Sequence, residues 1–233
     1  MTPPDPAKQH AASLAADLVQ PGMAVGLGSG TTATLMIQRL GQRVAEEGLE
    51  FLGVPTSRDS AELAASVGIA LVDLDAVDTL DLDLDGADEV DNAFRMIKGR
   101  GGALLREKIV AAAARRRVFI VGETKHVERL GLKFPVPVEA SAFGLLHTER
   151  ALLALGAVTK IRTAGEGPHP YVTDGGNRII DCRFERGIDD PAALDVRLKS
   201  IPGVFETGLF LGLCDALIVG KPEGAELIEA HSR

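Results

Sequence analysis

The sequence predicts an α/β protein, with a Rossmann-like parallel-sheet domain into which a smaller ferredoxin-like α+β domain is inserted. In the first half of the chain, short apolar runs alternate with helical segments, which is typical of parallel α/β packing. Beyond residue 133 the predicted elements follow a βαββαβ order, which is typical of a ferredoxin-like unit. A chain of 233 residues, 45% of them hydrophobic, is long enough for both domains.

The Rossmann-like domain is predicted over residues 1–132 and 208–233. Its strands are expected at residues 23–27, 51–54, 70–73, 80–84, 118–121 and 216–220. Its helices are expected at residues 31–47, 59–67 and 103–117, with a further helix after residue 220. The run Arg115-Arg116-Arg117 would end the third helix, where cations suit the helix dipole.

The ferredoxin-like domain is predicted over residues 133–207, because Phe134-Pro135-Val136-Pro137 interrupts the α/β rhythm. After a first strand in that region, helices are expected at residues 142–155 and 191–201 and strands at residues 157–163, 177–184 and 204–207.

Composition excludes several classes of protein. The net charge of −8 makes nucleic acid an unexpected partner, and no apolar run approaches the roughly 18 residues of a membrane span. Cys182 and Cys214 are isolated in apolar segments, which predicts buried free thiols and a reducing compartment. We therefore expect a soluble, cytoplasmic protein.

The segment from Val25 to Thr32, VGLGSGTT, lies between a predicted strand and a predicted helix. Its glycines let backbone N–H groups approach an anion, and the helix N-terminus adds donors, so a phosphate or carboxylate pocket is predicted. A tight glycine turn capped by threonine is the alternative. The third Rossmann glycine and the P-loop lysine are missing, which disfavours a nucleotide.

Leucines alternate with acids from Leu80 to Asp85, which predicts a strand with one wet face carrying Asp81 and Asp83. Asp85 and Asp88 flank a glycine turn at the strand's end, where open α/β sheets present ligands. Such carboxylates can share protons or hold a divalent metal.

Three further residues are candidates for chemistry. Lys98 precedes a glycine-rich loop and could pair with an oxyanion, unless it is a surface lysine. Glu107 lies on a helix side shared with small apolar residues, which suits a general base, unless it only pairs locally near the helix start. Lys125 follows a buried strand and is either a phosphate contact or a solvated loop lysine.

Taken in order, GLGSGTT, DLDGADEVD, MIKGRGGALLREKIV, GETKHVERLG, KFPVPVE and IPGVFETGLF resemble the type A family of ribose-5-phosphate isomerases, nearly end to end. The resemblance implies an aldose–ketose isomerase that interconverts D-ribose 5-phosphate and D-ribulose 5-phosphate through an enediolate, in the non-oxidative pentose phosphate pathway. It implies no metal or organic cofactor, a sugar phosphate as the ligand, and a homodimer or a dimer of dimers.

The resemblance also implies roles for single residues. Glu107 would be the catalytic base, and Lys98 would stabilise the enediolate. Asp85 would open the sugar ring, and Asp85 or Asp88 would move protons between oxygens. The substrate-binding positions would be Ser29, Gly30, Thr31, Thr32, Asp85, Gly86, Ala87, Asp88, Lys98, Gly99, Arg100, Gly101 and Lys125. Ser29 replaces a common threonine, and Arg100 interrupts a loop that is often all glycine, so the role of the Arg100 side chain stays open.

Two other functions are weighed. A non-catalytic sugar-phosphate sensor would need a DNA-binding segment, whereas residues 1–20 predict at most one helix. A related sugar-phosphate deaminase or lactonase is the other; for a deaminase, His126 is the only candidate catalytic histidine.

Overall fold

The computed structural model describes residues 5–165 and 167–230. Its helices are α1 (Pro6–Asp17), α2 (Thr31–Glu47), α3 (Arg58–Ser66), α4 (Leu104–Ala113), α5 (Leu145–Ala154) and α6 (Pro191–Lys199). Its strands are β1 (Ala24–Leu27), β2 (Leu52–Pro55), β3 (Ala70–Leu71), β4 (Leu80–Gly86), β5 (Glu89–Val90), β6 (Met96–Ile97), β7 (Ala114–Gly122), β8 (Val136–Ala140), β9 (Val158–Ile161), β10 (Arg178–Arg183), β11 (Val204–Thr207), β12 (Leu209–Phe210), β13 (Ala216–Lys221) and β14 (Gly224–Glu229). None of the described helices is long and apolar enough to cross a bilayer.

The chain divides into two compact units. The first comprises Met1–Ala87, Arg106–Lys125 and Leu213–Arg233, and the second comprises Asp88–Leu105 and His126–Gly212. By compactness, residues 88–105 therefore group with the second unit, whereas the sequence assigned them to the Rossmann-like domain. The predicted boundaries of independently folding domains stay a prediction.

A seven-stranded sheet forms the centre of the first unit, in the order β14-β13-β7-β4-β1-β2-β3. All neighbours pair in parallel except β13 and β14, which form an antiparallel hairpin. From β1 the chain moves outward to β2 and β3 and then returns to the other side of β1 at β4. The strand order thus reverses between β1 and β4, and ligands of open α/β sheets bind at the carboxyl ends of such a pair.

The second unit contains a four-stranded antiparallel sheet in the order β11-β8-β10-β9. Helix α5 connects its first two strands and α6 its last two, so the predicted βαββαβ order is confirmed. A core of buried side chains, among them Val136, Val138, Leu152, Ile180 and Leu198, lies on this sheet. A small sheet in the order β12-β6-β5 completes the unit.

Two predicted helical segments of the first unit are strands. Residues 115–117 belong to β7, which begins at Ala114 opposite Leu80 of β4. Arg117 donates from its backbone N–H (2.8 Å) and its Nε (2.7 Å) to Asp215, so strand pairing and an ion pair outweigh the predicted helix-dipole effect.

The prediction of a helix after residue 220 is also wrong, because residues 224–229 form β14. Ala225 and Leu227 pack on the core, while Glu226 pairs with Lys221 outside it. This period of two is that of a strand.

Candidate active site

Asp85 lies at the carboxyl end of β4, where the strand order of the first unit reverses. Its side chain is fully buried, and its Oδ1 accepts hydrogen bonds from the N–H groups of Ser29 (3.0 Å) and Gly86 (2.7 Å). A Cβ atom added at Gly28 would lie 2.3 Å from the same oxygen. Gly28 therefore makes room for a carboxylate, as the anion-pocket interpretation of this motif allowed, but the carboxylate belongs to the protein itself.

Asp83 is fully buried, so the predicted wet face is wrong at this position. A Cβ at Gly26 would lie 2.4 Å from Asp83 Oδ1 and 2.6 Å from Val110, which shows that α4 covers the carboxylate. Hydrogen bonding to Asp215 raises the pKa of Arg117, and the charge of Asp83 adds to that rise. Asp81, two residues earlier, is partly exposed, as predicted.

The loop of Ser29 is bound to the end of β2. Ser29 Oγ lies 2.7 Å from Thr56 Oγ1 and donates to Ser57 Oγ at 2.9 Å, while Thr56 donates to the carbonyl of Leu27 at 3.1 Å. The sequence analysis missed Thr56 and Ser57. Their position directly after a parallel strand would have indicated them.

Helix α2 begins behind this loop. Its N-cap is Gly30, with a φ of 94° and no side-chain cap, so a left-handed glycine precedes the N–H groups of the first turn. Thr31 is exposed and Thr32 half-buried, and Lys8 Nζ lies 3.3 Å from Thr31 Oγ1. Lys8, from α1, is a second feature that the sequence analysis missed.

Glu107 lies in the first turn of α4 and is only 4% exposed. The helix leads into Ala114, which pairs with the first residue of β4, so its N-terminal turn lies toward the carboxyl ends of the strands. The structure thus places Glu107 and Asp85 toward one edge of the first unit's sheet. Lys125, half-buried, follows the carboxyl end of β7 at the same edge.

Lys98 belongs to the second unit and is 3% exposed, which excludes the surface-lysine alternative. Its backbone N–H donates to the Gly208 carbonyl (2.9 Å), and its Nζ lies 5.4 Å from the centre of the Phe210 ring. A lysine over an aromatic face is attracted by the ring quadrupole, so Phe210 helps to hold the charge in place.

Asp88, also in the second unit, accepts the N–H of Arg100 on Oδ2 at 2.9 Å. The Arg100 guanidinium lies over the ring of Phe134, 5.0 Å from its centre. The backbone of position 100 is therefore held by Asp88, while its exposed side chain extends to Phe134. Among the described residues, no group of three or more His, Cys, Asp or Glu side chains is placed to hold a metal ion.

Comparison with known proteins decides the family. The family described as ribose 5-phosphate isomerase A (phosphoriboisomerase A) matches residues 52–224. The chain belongs to this family. Ribose-5-phosphate isomerase A of Thermomicrobium roseum is 49% identical over 224 residues, which cover 96% of this chain and 93% of that protein.

Solved structures agree. Ribose 5-phosphate isomerase A of Methanocaldococcus jannaschii has a TM-score of 0.91 and 40% identity, covering 96% of this chain and 98% of that one. A D-ribose-5-phosphate isomerase in complex with phospho-erythronic acid has a TM-score of 0.92 and 38% identity, covering 96% and 97%. This protein is thus a ribose-5-phosphate isomerase with the expected α/β fold, and the sensor and deaminase or lactonase alternatives receive no support.

Three further side chains that the sequence analysis named are His126, Cys182 and Cys214. His126 is exposed and lies 2.8 Å, through Nε2, from Asn92 Oδ1. Cys182 and Cys214 are free and buried, as predicted, and burial raises the pKa of each thiol to about 12.

Proposed function

We propose that Glu107 takes the proton from C2 of ribose 5-phosphate and returns it to C1 through an enediolate. Protons next to a carbonyl are weakly acidic, so the base must be poorly solvated and close to the substrate. The single observation that carries the proposal is the burial of Glu107, 4% exposed, at the sheet edge that also holds Asp85.

Lys98 supplies the positive charge that stabilises the enediolate. A buried ammonium is worth more to a developing oxyanion than an exposed one, because little water screens it. Its Nζ is held over the Phe210 ring, so the charge is already in place before the oxyanion forms.

Asp85 and Asp88 move the proton that travels between the substrate oxygens, and Asp85 also assists ring opening. Oδ1 of Asp85 is fixed by two backbone N–H groups, and Oδ2 of Asp88 by one. Carboxylates oriented in this way keep one geometry through the reaction, which general acid–base catalysis requires.

The phosphate is held by the first turn of α2 and by cations near it. Backbone N–H groups at a helix N-terminus bind anions, and Ser29, Gly30, Thr31 and Thr32 lie there. Lys8 is bonded to Thr31, and Lys125 lies at the same sheet edge. The other segments that contact the substrate are Gly86 with Ala87 and the loop of Gly99, Arg100 and Gly101.

The ligand of a related structure supports the proposal that the reaction passes through an enediolate intermediate. Phospho-erythronic acid, bound by a D-ribose-5-phosphate isomerase 38% identical to this chain, carries a carboxylate. A carboxylate is planar and spreads negative charge over two oxygens, as an enediolate does, so a site that binds it is suited to the intermediate.

The test is the variant Glu107→Gln assayed with ribose 5-phosphate. We expect kcat to fall about 100- to 10 000-fold, with folding and most substrate affinity kept, because only the base is lost. In D₂O the variant should also fail to exchange the C2 proton. Asp59→Asn is the control, since Asp59 is an acid in the first turn of another helix and is exposed. Near-normal turnover by Glu107→Gln removes Glu107 from its role.

We also propose that the isomerase works in the cytoplasm as a homodimer or a dimer of dimers, in the non-oxidative pentose phosphate pathway. No nucleic acid, membrane or cofactor is part of the proposal. Sedimentation of the purified protein at several concentrations tests the assembly, and a monomer at every concentration contradicts it.

A further inference from the structure

The loop of residues 98–102, here called the lysine loop, is held by one arginine of the same unit. Arg162 Nη1 donates to the carbonyls of Gly99 (2.8 Å) and Arg100 (3.0 Å). Both carbonyls belong to segments proposed to bind substrate, so one guanidinium binds two consecutive peptide groups of the loop.

Arg162 is itself fixed. It follows β9, and it donates two hydrogen bonds to the carboxylate of Asp181 in β10, from Nε at 3.0 Å and from Nη2 at 2.5 Å. The side chains of this two-point pair are only 16% and 18% exposed. The backbone N–H of Arg162 donates to Ile179 at 2.9 Å. Because the planar guanidinium is held at two nitrogens, Nη1 can point in one direction only.

A second contact lies at the end of the lysine loop. The hydroxyl of Tyr171 lies 3.4 Å from the Gly101 carbonyl, and a Cβ added at Gly102 would lie 2.4 Å from that hydroxyl. The N–H of Gly102 donates back to Gly99 at 3.0 Å, closing a turn. The loop carbonyls are thus directed toward Arg162 and Tyr171.

Peptide geometry decides what the other side of the loop presents. In a trans peptide, the carbonyl of one residue and the N–H of the next point in opposite directions. Holding the Arg100 carbonyl therefore turns the Gly101 N–H away from Arg162. Among the hydrogen bonds between described residues, none has the Gly101 N–H as its donor.

We infer that Arg162, oriented by Asp181, is a positioning residue of the isomerase. It keeps the Gly101 N–H directed at an oxygen of the sugar phosphate, and it keeps the backbone beside Lys98 in place. The inference rests on the proposed role of the lysine loop in substrate binding. An N–H held in advance toward a charged oxygen stabilises it without reorganisation, which is the condition for transition-state stabilisation.

The experiment compares Arg162→Ala with Arg178→Ala in ribose 5-phosphate isomerisation. Arg178 is a matched control, because its Nη1 also donates to two backbone carbonyls, Gly176 and Asn177, at 3.0 Å each, in a different loop of the same unit. We expect kcat to fall about 100-fold in Arg162→Ala only, as for a displacement of about 1 Å. Arg162→Lys should not restore it, since an ammonium cannot make the two-point pair.

Guanidinium ion at millimolar concentration separates positioning from folding. It should restore part of kcat in Arg162→Ala, leave Arg178→Ala and Glu107→Gln unchanged, and not alter the melting temperature of any of them. If Arg162→Ala does not fold, Asp181→Asn, which keeps the shape of the pair, should lower kcat about tenfold.

The inference is overturned if kcat of Arg162→Ala stays within about threefold of the Arg178→Ala control. If Arg162→Ala does not fold, the same limit applies to kcat of Asp181→Asn. It is also overturned if activity and melting temperature fall together and guanidinium restores neither. Wild-type protein that does not isomerise ribose 5-phosphate would instead contradict the function, and normal turnover by Lys98→Met would contradict the role of Lys98 alone.

Discussion

Replacing Gly28 by alanine tests whether this glycine makes room for Asp85. The new Cβ would lie 2.3 Å from Oδ1, 2.4 Å from Cγ and 2.5 Å from Cα of Asp85, about 1 Å inside ordinary contact. A rotamer change relieves the contact with the carboxylate but not the one with Cα, so β1 and β4 must separate. Overpacking of this kind costs about 1–3 kcal/mol of stability. A displacement of Asp85 by about 1 Å lowers kcat about 100-fold.

The assay is urea unfolding combined with steady-state kinetics on ribose 5-phosphate. Gly224→Ala is the control, because nothing lies within 4 Å of its Cβ and its φ is not left-handed. If Gly28 served only to let a phosphate approach the backbone, the alanine would raise KM and leave stability and kcat unchanged. That result would refute the reasoning, and so would a Gly28→Ala protein indistinguishable from the control.

Three other predictions follow from single groups. Burial alone would raise the pKa of Asp215, but the hydrogen bonds and charge of Arg117 together outweigh it and lower that pKa. The stability that Asp215 adds is therefore present at neutral pH and lost as the pH falls below about 4. The difference in melting temperature between wild type and Asp215→Asn should shrink over that range. Glu89 is fully buried and accepts hydrogen bonds from three backbone N–H groups at 2.5–2.7 Å. In urea unfolding, Glu89→Gln should therefore lower the free energy of unfolding by about 2–3 kcal/mol, and a change near zero would contradict this account. Burial raises the pKa of Cys182 and of Cys214 to about 12, so neither thiol should react with a disulfide reagent at pH 8 until the protein is unfolded. Rapid labelling of the native protein would contradict this, because it would show that the thiols are accessible.

The elements that the sequence predicted well are those with a clear local signal. Helix α2 has the predicted bounds because glycines lie at both ends of an amphipathic segment, and a left-handed Gly48 ends it. The βαββαβ order could be predicted for the same reason, since proline and glycine separate its elements. Candidate site residues could be named because parallel strands deliver their following loops to one edge.

What the sequence could not predict depends on neighbours distant in the chain. Alternation alone placed Asp83 on a wet face, but Gly26 of the adjacent strand and Val110 of α4 enclose it. The arginine run was assigned to a helix because its partner Asp215 lies 98 positions away from Arg117. Local propensity cannot represent such pairs, and tertiary contacts override it.

The same limit explains why Arg162 was overlooked while the lysine loop was found. A glycine-rich loop is easily recognised in the sequence. Its conformation is not determined by the sequence of the loop, because glycine tolerates many backbone angles, such as the φ of 102° at Gly99. Some other group must therefore select one conformation. Here a carboxylate, Asp88, binds an N–H of the loop, and a guanidinium, Arg162, binds two of its carbonyls. Each charge matches the polarity of the group that it holds, so neutralising either one should free the peptide on its own side. Since Asp88 is also proposed to move protons, the loss of activity on neutralising Arg162 alone is the measure of positioning.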